Sequence, residues 1–301
     1  MNLTYHTPVM LKECIEGLNI KPDGVYVDVT FGGGSHSAAI LALLNEHGRL
    51  YAFDRDNQSR QNIILDNRFI LINDNYSTLK NYLRLYREMK VNGILADLGI
   101  SSHQIDEPSR GFSTRFDGKL DLRMDNSQGF SAGDIVNEYE KEDLIRVFRD
   151  YGELKNAIKI TSHIINRREK KPIETTFELK DALYDLAPAK QENKFFAIVF
   201  QALRIEVNNE LESLKEMLKQ AEECLISGGR IVVMSYHSLE DRLVKNFLRY
   251  GNFEAKEEKD FFGNKLSPFK LIQRKPVMAS EEEVKHNPRA RSAKLRIGQK
   301  I

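Results

Sequence analysis

The sequence predicts an α/β fold: a doubly wound, Rossmann-like sheet interrupted by an all-helical domain. Three observations carry this. Strand-like and helix-like runs alternate from residue 24 to 100, only helical signal occupies about 131 to 205, and strand character returns at residue 230. The stretch "VYVDVT" (25–30) is β-branched and reads as a first strand, and "SAAILALLNEH" (37–47) as a helix with Ile40, Leu41 and Leu44 on one face. "RLYAFD" (49–54) makes a second strand, followed by a polar helix-like stretch over 56–66. "RFILIND" (68–74), "TLKNYLRLYREM" (78–89) and "NGILADLG" (92–99) continue as strand, helix and strand. This order implies a parallel sheet covered on both faces, with ligands outside the carboxyl ends of its strands.

After Gly99 the pattern changes. Residues 101–129, rich in Ser, Gly, Asp and Arg, read as a long ordered loop. "EDLIRVFRDYG" places Leu144, Val147, Phe148 and Tyr151 at helical spacing, with Gly152 as a C-cap. Thr175 and Glu178 form a capping box for the helix that follows. Residues 208–226 are an amphipathic helix running up to Gly228-Gly229, and "RIVVMSYHS" (230–238) returns to strand before a helix from Leu239 to Leu248. "FKLIQRK" (269–275) and "AKLRIG" (293–298) read as a closing antiparallel pair. The economical reading is one α/β domain, residues 1–105 and 207–301, with a helical insertion over 106–206.

Composition limits the function classes. At 301 residues, 45 Lys and Arg against 44 Asp and Glu leave a net charge of +1, so a nucleic-acid partner would have to meet local patches. Two distant cysteines, Cys14 and Cys224, argue for a reducing compartment and against a disulfide framework or a zinc site. No run of about 18 apolar residues and no basic-then-apolar leader occurs, so the expectation is a cytoplasmic protein without a membrane span or a resident metal.

The segment "VYVDVTFGGGSHS" (25–37) gives up side chains at Gly32, Gly33 and Gly34 where a strand hands over to a helix. Glycine there permits a tight turn and close approach of a ligand to the backbone. Asp54, at the end of the next strand, suits the two ribose hydroxyls of an adenosine moiety. Both NAD and S-adenosylmethionine carry one. A dinucleotide needs a third glycine, and the position holds Ser37 instead; Asp28 would also repel a pyrophosphate but could help fix an ammonium. S-Adenosylmethionine therefore leads. Asp28 equally suits capping of the turn's own N–H groups.

"ILADLGISS" sets Asp97 at the carboxyl edge of the fourth strand. An exocyclic amine on a base is a poor nucleophile because its lone pair is delocalised into the ring. An acceptor for its N–H localises that pair and disperses the developing positive charge. A plain helix-capping role for Asp97 is the alternative.

Eight ordered blocks carry a family resemblance: "HTPVMLKE" (6–13), "DVTFGGGSHS" (28–37), "DRD" (54–56), "DLGISSHQID" (97–106), "RGFSTRFDGKLDLRMD" (110–125), "FQALRIEVNNEL" (200–211), "SYHSLEDRLVK" (235–245) and "NPRARSAKLR" (287–296). Together they resemble the bacterial MraW/RsmH family of methyltransferases, which use S-adenosylmethionine to methylate a cytosine of small-subunit (16S) ribosomal RNA at N4. The resemblance implies a class I methyltransferase-like fold with an inserted helical domain, a substrate-recognition role for that domain, and a ribosomal RNA or 30S particle as partner. It places the cofactor contacts on Gly34, Ser35, His36, Asp54, Tyr76, Asp97 and Gln104, with Asp97 also catalytic. One departure concerns Gly34-Ser35-His36, where the family has Gly-Gly-His; a backbone contact survives the serine if φ stays negative.

The tail 285–300 bears Lys285, Arg289, Arg291, Lys294, Arg296 and Lys300 without an acid, and "RREKK" (167–171) is a second basic cluster. Such runs are usually solvated faces. Here Arg289 and Arg291 are read as phosphate contacts, and Tyr236 and His237 as contacts to an unstacked base. A packed aromatic and a satisfied histidine remain the alternatives for that last pair. Three rival functions stay open on the residues: another amino-methyltransferase of RNA or DNA, a nicotinamide-dependent oxidoreductase, and a non-catalytic RNA-binding module. The second should show a hydride-site acid or a tyrosine–lysine pair, and neither is evident.

Overall fold

The computed structural model describes residues 8–127, 129–263 and 265–301, so the start of the first resemblance block, His6 and Thr7, lies outside the described residues. In chain order the elements are α1 (Leu11–Leu18), β1 (Val25–Asp28), α2 (Ser35–Leu41), β2 (Arg49–Phe53), β3 (Phe69–Ile72), α3 (Leu79–Leu85) and β4 (Val91–Asp97). Six helices follow: α4 (Ser102–Asp106), α5 (Ala132–Glu138), α6 (Lys141–Arg146), α7 (Ala157–Arg168), α8 (Thr176–Leu183) and α9 (Glu192–Asn208). Then come α10 (Glu210–Cys224), β5 (Leu225–Ser235), α11 (Ser238–Tyr250), β6 (Phe269–Leu271), β7 (Val277–Met278), α12 (Glu281–His286) and β8 (Lys294–Lys300).

The strands form one sheet in the order β3-β2-β1-β4-β5-β8-β6, with β7 also paired to β8. β1 to β5 run parallel, and β8 is antiparallel to β5, with Val232 opposite Ile297. Neighbouring residues of one strand feed opposite faces. Val27, Tyr51, Phe53, Ile94 and Val233 enter one apolar cluster, with Leu79, Leu83, Met217, Leu218 and Phe247 from the helices. Tyr26, Leu50, Ala52, Leu95 and Val232 enter another with Cys14, Leu18, Ile40 and Leu41. Both faces are buried, so the sheet is doubly wound, as the near-continuous apolar strands require. The order reverses between β1 and β4, and the crevice at such a switch point is where ligands of open α/β sheets bind.

The chain separates into two compact units, one running up to Gly99 and resuming as Leu211–Ile301, the other Ile100–Glu210. The sequence reading put the first boundary after residue 105; α4 and Gln104 instead belong with the helical unit. That unit has its own apolar core, built from Ile135, Leu144, Phe148, Ile160, Leu179, Phe196 and Val199 among others.

Several local expectations are corrected. The stretch expected as a helix over 56–66 is a 3₁₀ turn, Asn57–Asn62, capped by Asp56; Ile63 and Leu65 beyond it are exposed, so no apolar stripe exists to bury a longer helix. The helix expected over 37–47 starts earlier and stops at Leu41, and the one over 78–89 stops at Leu85, ahead of Arg87 with φ of 63°. The loop expected over 101–129 contains α4 and a short 3₁₀ turn at Pro108–Arg110. Gly152 follows a π-type turn at Val147–Tyr151 with φ of −91°; the left-handed residue is Glu153, one position on, because the π turn adds a residue. The capping box of Thr175 and Glu178 and the antiparallel pairing of β6 with β8 match their expectations.

Candidate active site

The glycine turn joins β1 to α2. Gly32 and Gly34 have φ of 52° and 79°, the left-handed region that glycine enters without penalty. A Cβ at Gly34 would also lie 3.0 Å from the Phe31 ring, so bulk there is excluded twice over. Over Gly33 the space is open: an added Cβ would meet nothing within 4 Å. The turn leaves its backbone open to close approach. Ser35 is the first residue of α2 and keeps a helical backbone, the condition under which a backbone contact tolerates serine.

Carboxylates brace the turn. Asp54, just past the end of β2, accepts the Gly32 N–H at Oδ2 and the Asp56 N–H at Oδ1, both at 2.8 Å. Burial nonetheless pushes its pKa up to about 6, against the lowering effect of those two N–H groups. Two of its lone-pair positions stay available, enough for a pair of hydroxyls. Asp28 is buried and turned inward: Oδ1 accepts the Thr30 N–H at 3.0 Å and Oδ2 the Ser37 hydroxyl at 2.7 Å. Of the two roles open to it, bracing the start of the turn is the one its bonds describe.

Asp97 ends β4. Its own N–H donates to the Thr30 hydroxyl at 2.7 Å, and its Oδ1 accepts the Tyr236 hydroxyl at 2.7 Å. The side chain keeps 23% of its surface exposed, so a reactant can reach it. Burial raises its pKa to about 6, opposed by His36 and the Tyr236 hydroxyl and reinforced by Asp28 and Glu240. A partly exposed carboxylate raised to about 6 is suited to proton transfer. Burial and the neighbouring Asp97 push the Tyr236 phenol up strongly, so it stays a donor. Its ring also packs on Gly99, where φ is 106° and a Cβ would come within 3.2 Å.

The remaining expected residues fall as follows. Tyr76, in a 3₁₀ turn after β3, is half-buried against the sheet core. His237 caps α11, its Nδ1 accepting from the Glu240 N–H at 3.4 Å. Gln104 is buried in the helical unit, where its side chain accepts the Ser101 N–H at 3.0 Å in a capping box for α4. Arg289 and Arg291 sit on the 3₁₀ turn Pro288–Ser292, Arg289 half-buried and Arg291 exposed. Elsewhere in the tail Arg296 forms a two-pronged bond to Asp241 at 2.6 and 3.2 Å, and Lys294 lies 3.5 Å from the same carboxylate. Glu283 is engaged by the Met10 N–H at 2.6 Å. So part of the basic tail fastens β8 to α11.

Sequence reasoning missed Thr30 and Ser37. Thr30 connects β1 to the Asp97 backbone, and Ser37 holds Asp28. A hydroxyl residue two positions after an aspartate is a recognisable turn signal; the link to β4 is not readable along the chain.

A sheet of order 3-2-1-4-5 with an antiparallel strand beyond it, a glycine turn after β1 and acids after β2 and at the end of β4 define a protein of the class I methyltransferase-like fold. A model described as the MraW methylase family matches residues 3–301, and the chain belongs to that family. It is similar to proteins named ribosomal RNA small subunit methyltransferase H. That of Flavobacterium johnsoniae is 54% identical over 299 residues, covering 99% of each chain. That of Parabacteroides distasonis is 54% identical over 298 residues, covering 99% of this chain and 98% of the other. That of Bacteroides thetaiotaomicron is 53% identical over 298 residues, with the same coverage.

Proposed function

We propose that this chain transfers a methyl group from S-adenosylmethionine to the exocyclic N4 amine of a cytosine in small-subunit ribosomal RNA. Family membership supports the substrate class, and the observation that carries the chemistry is Asp97. It is a partly exposed carboxylate raised to about 6, at the end of the strand beside the one that leads into the glycine turn. When bound, S-adenosylmethionine supplies a methyl group on a positively charged sulfur. The open cradle over Gly33 and the donor set fit it: no phosphate is present to be repelled by Asp28. Asp54 accepts the ribose hydroxyls, Gly34, Ser35 and His36 line the turn with their backbone, and Tyr76 flanks the adenine. Asp97 is also a cofactor contact in this reading, and Gln104 is kept as the contact that the resemblance implies. Asp97 orients the amine and receives its proton.

For RNA we assign Arg289 and Arg291 to phosphates and the helical unit, Ile100–Glu210, to substrate recognition. Tyr236 and His237 spend polar atoms on Asp97 and on the cap of α11, so their part in holding a base is confined to ring contact. The location that fits this work is the cytoplasm, where ribosomal subunits are made. No helix among the described residues is long and apolar enough to cross a membrane.

Transfer of labelled methyl groups to small ribosomal particles from a strain lacking this chain, followed by nucleoside mass spectrometry, tests the reading. The expected product is N4-methylcytidine, present only with active protein. Label on an adenine, or none at all, refutes it in favour of another amino-methyltransferase or a non-catalytic RNA-binding module.

A further inference from the structure

Asp97 is flanked by a histidine whose side chain the transfer reading leaves without a task. His36 is buried on α2, with Nδ1 3.9 Å from Asp97 Oδ2 and Nε2 3.2 Å from the carbonyl oxygen of Val9. A carbonyl only accepts, so Nε2 carries the hydrogen of the neutral ring. The Nδ1 lone pair then faces the carboxylate. Two acceptors opposed in this way are at ease only when a proton is held by one of them. Asp97 Oδ1 is meanwhile occupied by the Tyr236 hydroxyl at 2.7 Å, which leaves Oδ2 as the oxygen that exchanges protons.

The surrounding charges favour a proton at this place. Asp28 on β1 and Glu240 on α11 both add negative potential at Asp97. Cys14 on α1 also faces it, and burial together with Asp97 pushes that thiol up, so it stays protonated and offers no rival base. Glu240 itself is tied to the Tyr236 N–H at 3.0 Å and lies 3.2 Å from His237 Nε2.

We infer that His36 is a positioning residue for the transfer, taking through Nδ1 the proton that Asp97 receives from the amine, while Tyr236 pins the carboxylate. This rests on the reading of Asp97 as the acceptor. In the step the amine nitrogen bonds to the methyl carbon, and the electron pair of the breaking C–S bond stays on sulfur. The N–H bond breaks with its electrons left on nitrogen. The proton moves to Asp97 Oδ2 and then to His36 Nδ1, which restores the carboxylate opposite an imidazolium, and solvent later removes it. A tilt of the imidazole ring shortens the 3.9 Å gap to hydrogen-bond length.

Two measurements on the full chain test this. Ring-nitrogen NMR of the ligand-free protein should show His36 as the Nε2–H form at high pH. In Asp97→Asn the Nδ1 resonance should move, because the new amide N–H can donate to that nitrogen where the carboxylate could not. The other tautomer, or an unmoved resonance, overturns the inference. In single-turnover methyl transfer, His36→Gln should move the acidic limb of the rate profile to lower pH. The acceptor must be empty of protons to work, and Asp97 alone holds its last proton less tightly than the pair does. Affinity for S-adenosylmethionine by calorimetry should stay within a few-fold. A uniform loss of rate with an unmoved limb marks a packing role and also overturns it. Full activity of Asp97→Asn would instead sink the acceptor reading, and the NMR result separates that failure from this one.

Discussion

The strand-end carboxylates of the sheet unit and the paired carboxylates of the helical unit are treated in opposite ways. The sheet unit has pairs of the second kind too, Asp66 with Arg68 and Asp241 with Arg296. In the sheet unit, Asp28, Asp54 and Asp97 sit at strand ends with no Arg or Lys among the described residues bonded to them, and burial raises all three. In the helical unit, acids are matched locally. Arg123 grips Asp121 at 2.8 Å and holds its pKa down, and Lys171 does the same for Glu178. Arg146 binds Glu206 through two nitrogens at 2.7 and 3.0 Å, with the Tyr139 hydroxyl on the same carboxylate at 3.0 Å. A lowered carboxyl contributes to folding, whereas a raised one is kept at a cost that function must justify. The contrast separates carboxylates that are paired for stability from those we propose for the cofactor and acceptor site.

The largest effect expected from breaking this contrast is on turnover. Asp97→Asn should lower the rate of methyl transfer by about 10²–10⁴-fold, the usual worth of a positioned proton acceptor. Affinity for S-adenosylmethionine should fall by much less, since asparagine keeps the size and one acceptor oxygen of the cofactor contact. Next, Asp54→Ala should weaken cofactor binding by more than about tenfold, since hydrogen bonds to a charged group are worth roughly 1.5–3 kcal/mol. Unchanged affinity in calorimetry, with the fold intact, would remove Asp54 from the site.

In the helical unit the same kind of substitution should act on stability alone. Glu206→Gln removes the charge from a pair whose arginine is 36% exposed, so the expected loss is about 1–2 kcal/mol. It should be read as a lower melting temperature with cofactor affinity intact; a matching loss of affinity would blur the division between the two units.

The pH dependence of stability sharpens the point. Asp54 and Asp97 titrate near 6 when folded, against about 3.9 for an unfolded aspartate. Between those values the folded chain binds more protons. Their contribution is therefore complete below the unfolded pKa and fades as pH rises through about 6. The melting temperature of Asp54→Asn/Asp97→Asn minus that of the parent should grow more positive from about pH 4 to about pH 7. A flat difference would show that neither carboxyl is perturbed.

The smallest effect concerns Arg289 and Arg291. Replacing both with alanine should reduce the salt dependence of RNA binding by about two phosphate contacts' worth of slope, with cofactor affinity unchanged. A normal slope with a lower melting temperature would class them with Arg296, as a fastening of the tail.

The alternation of strand and helix, the glycine turn, the acids at positions 54 and 97, and the helical insertion were all legible along the chain, because each rests on local periodicity or local backbone demand. Element ends were less so: the polar run after Asp54 looked helical until its neighbours offered no apolar face to bury. What only the tertiary structure decided is how the polar atoms are spent. Tyr236 and Asp97 lie 139 positions apart in sequence, yet share a hydrogen bond because β5 is the sheet neighbour of β4. Thr30 reaches Asp97 for the same reason across β1 and β4, and His36 finds Val9 and Asp97 only once α1 and α2 pack on one face. Sequence spacing records which residue types are present, but proton affinity depends on burial and on partners brought in by strand order, and neither exists until the chain has folded.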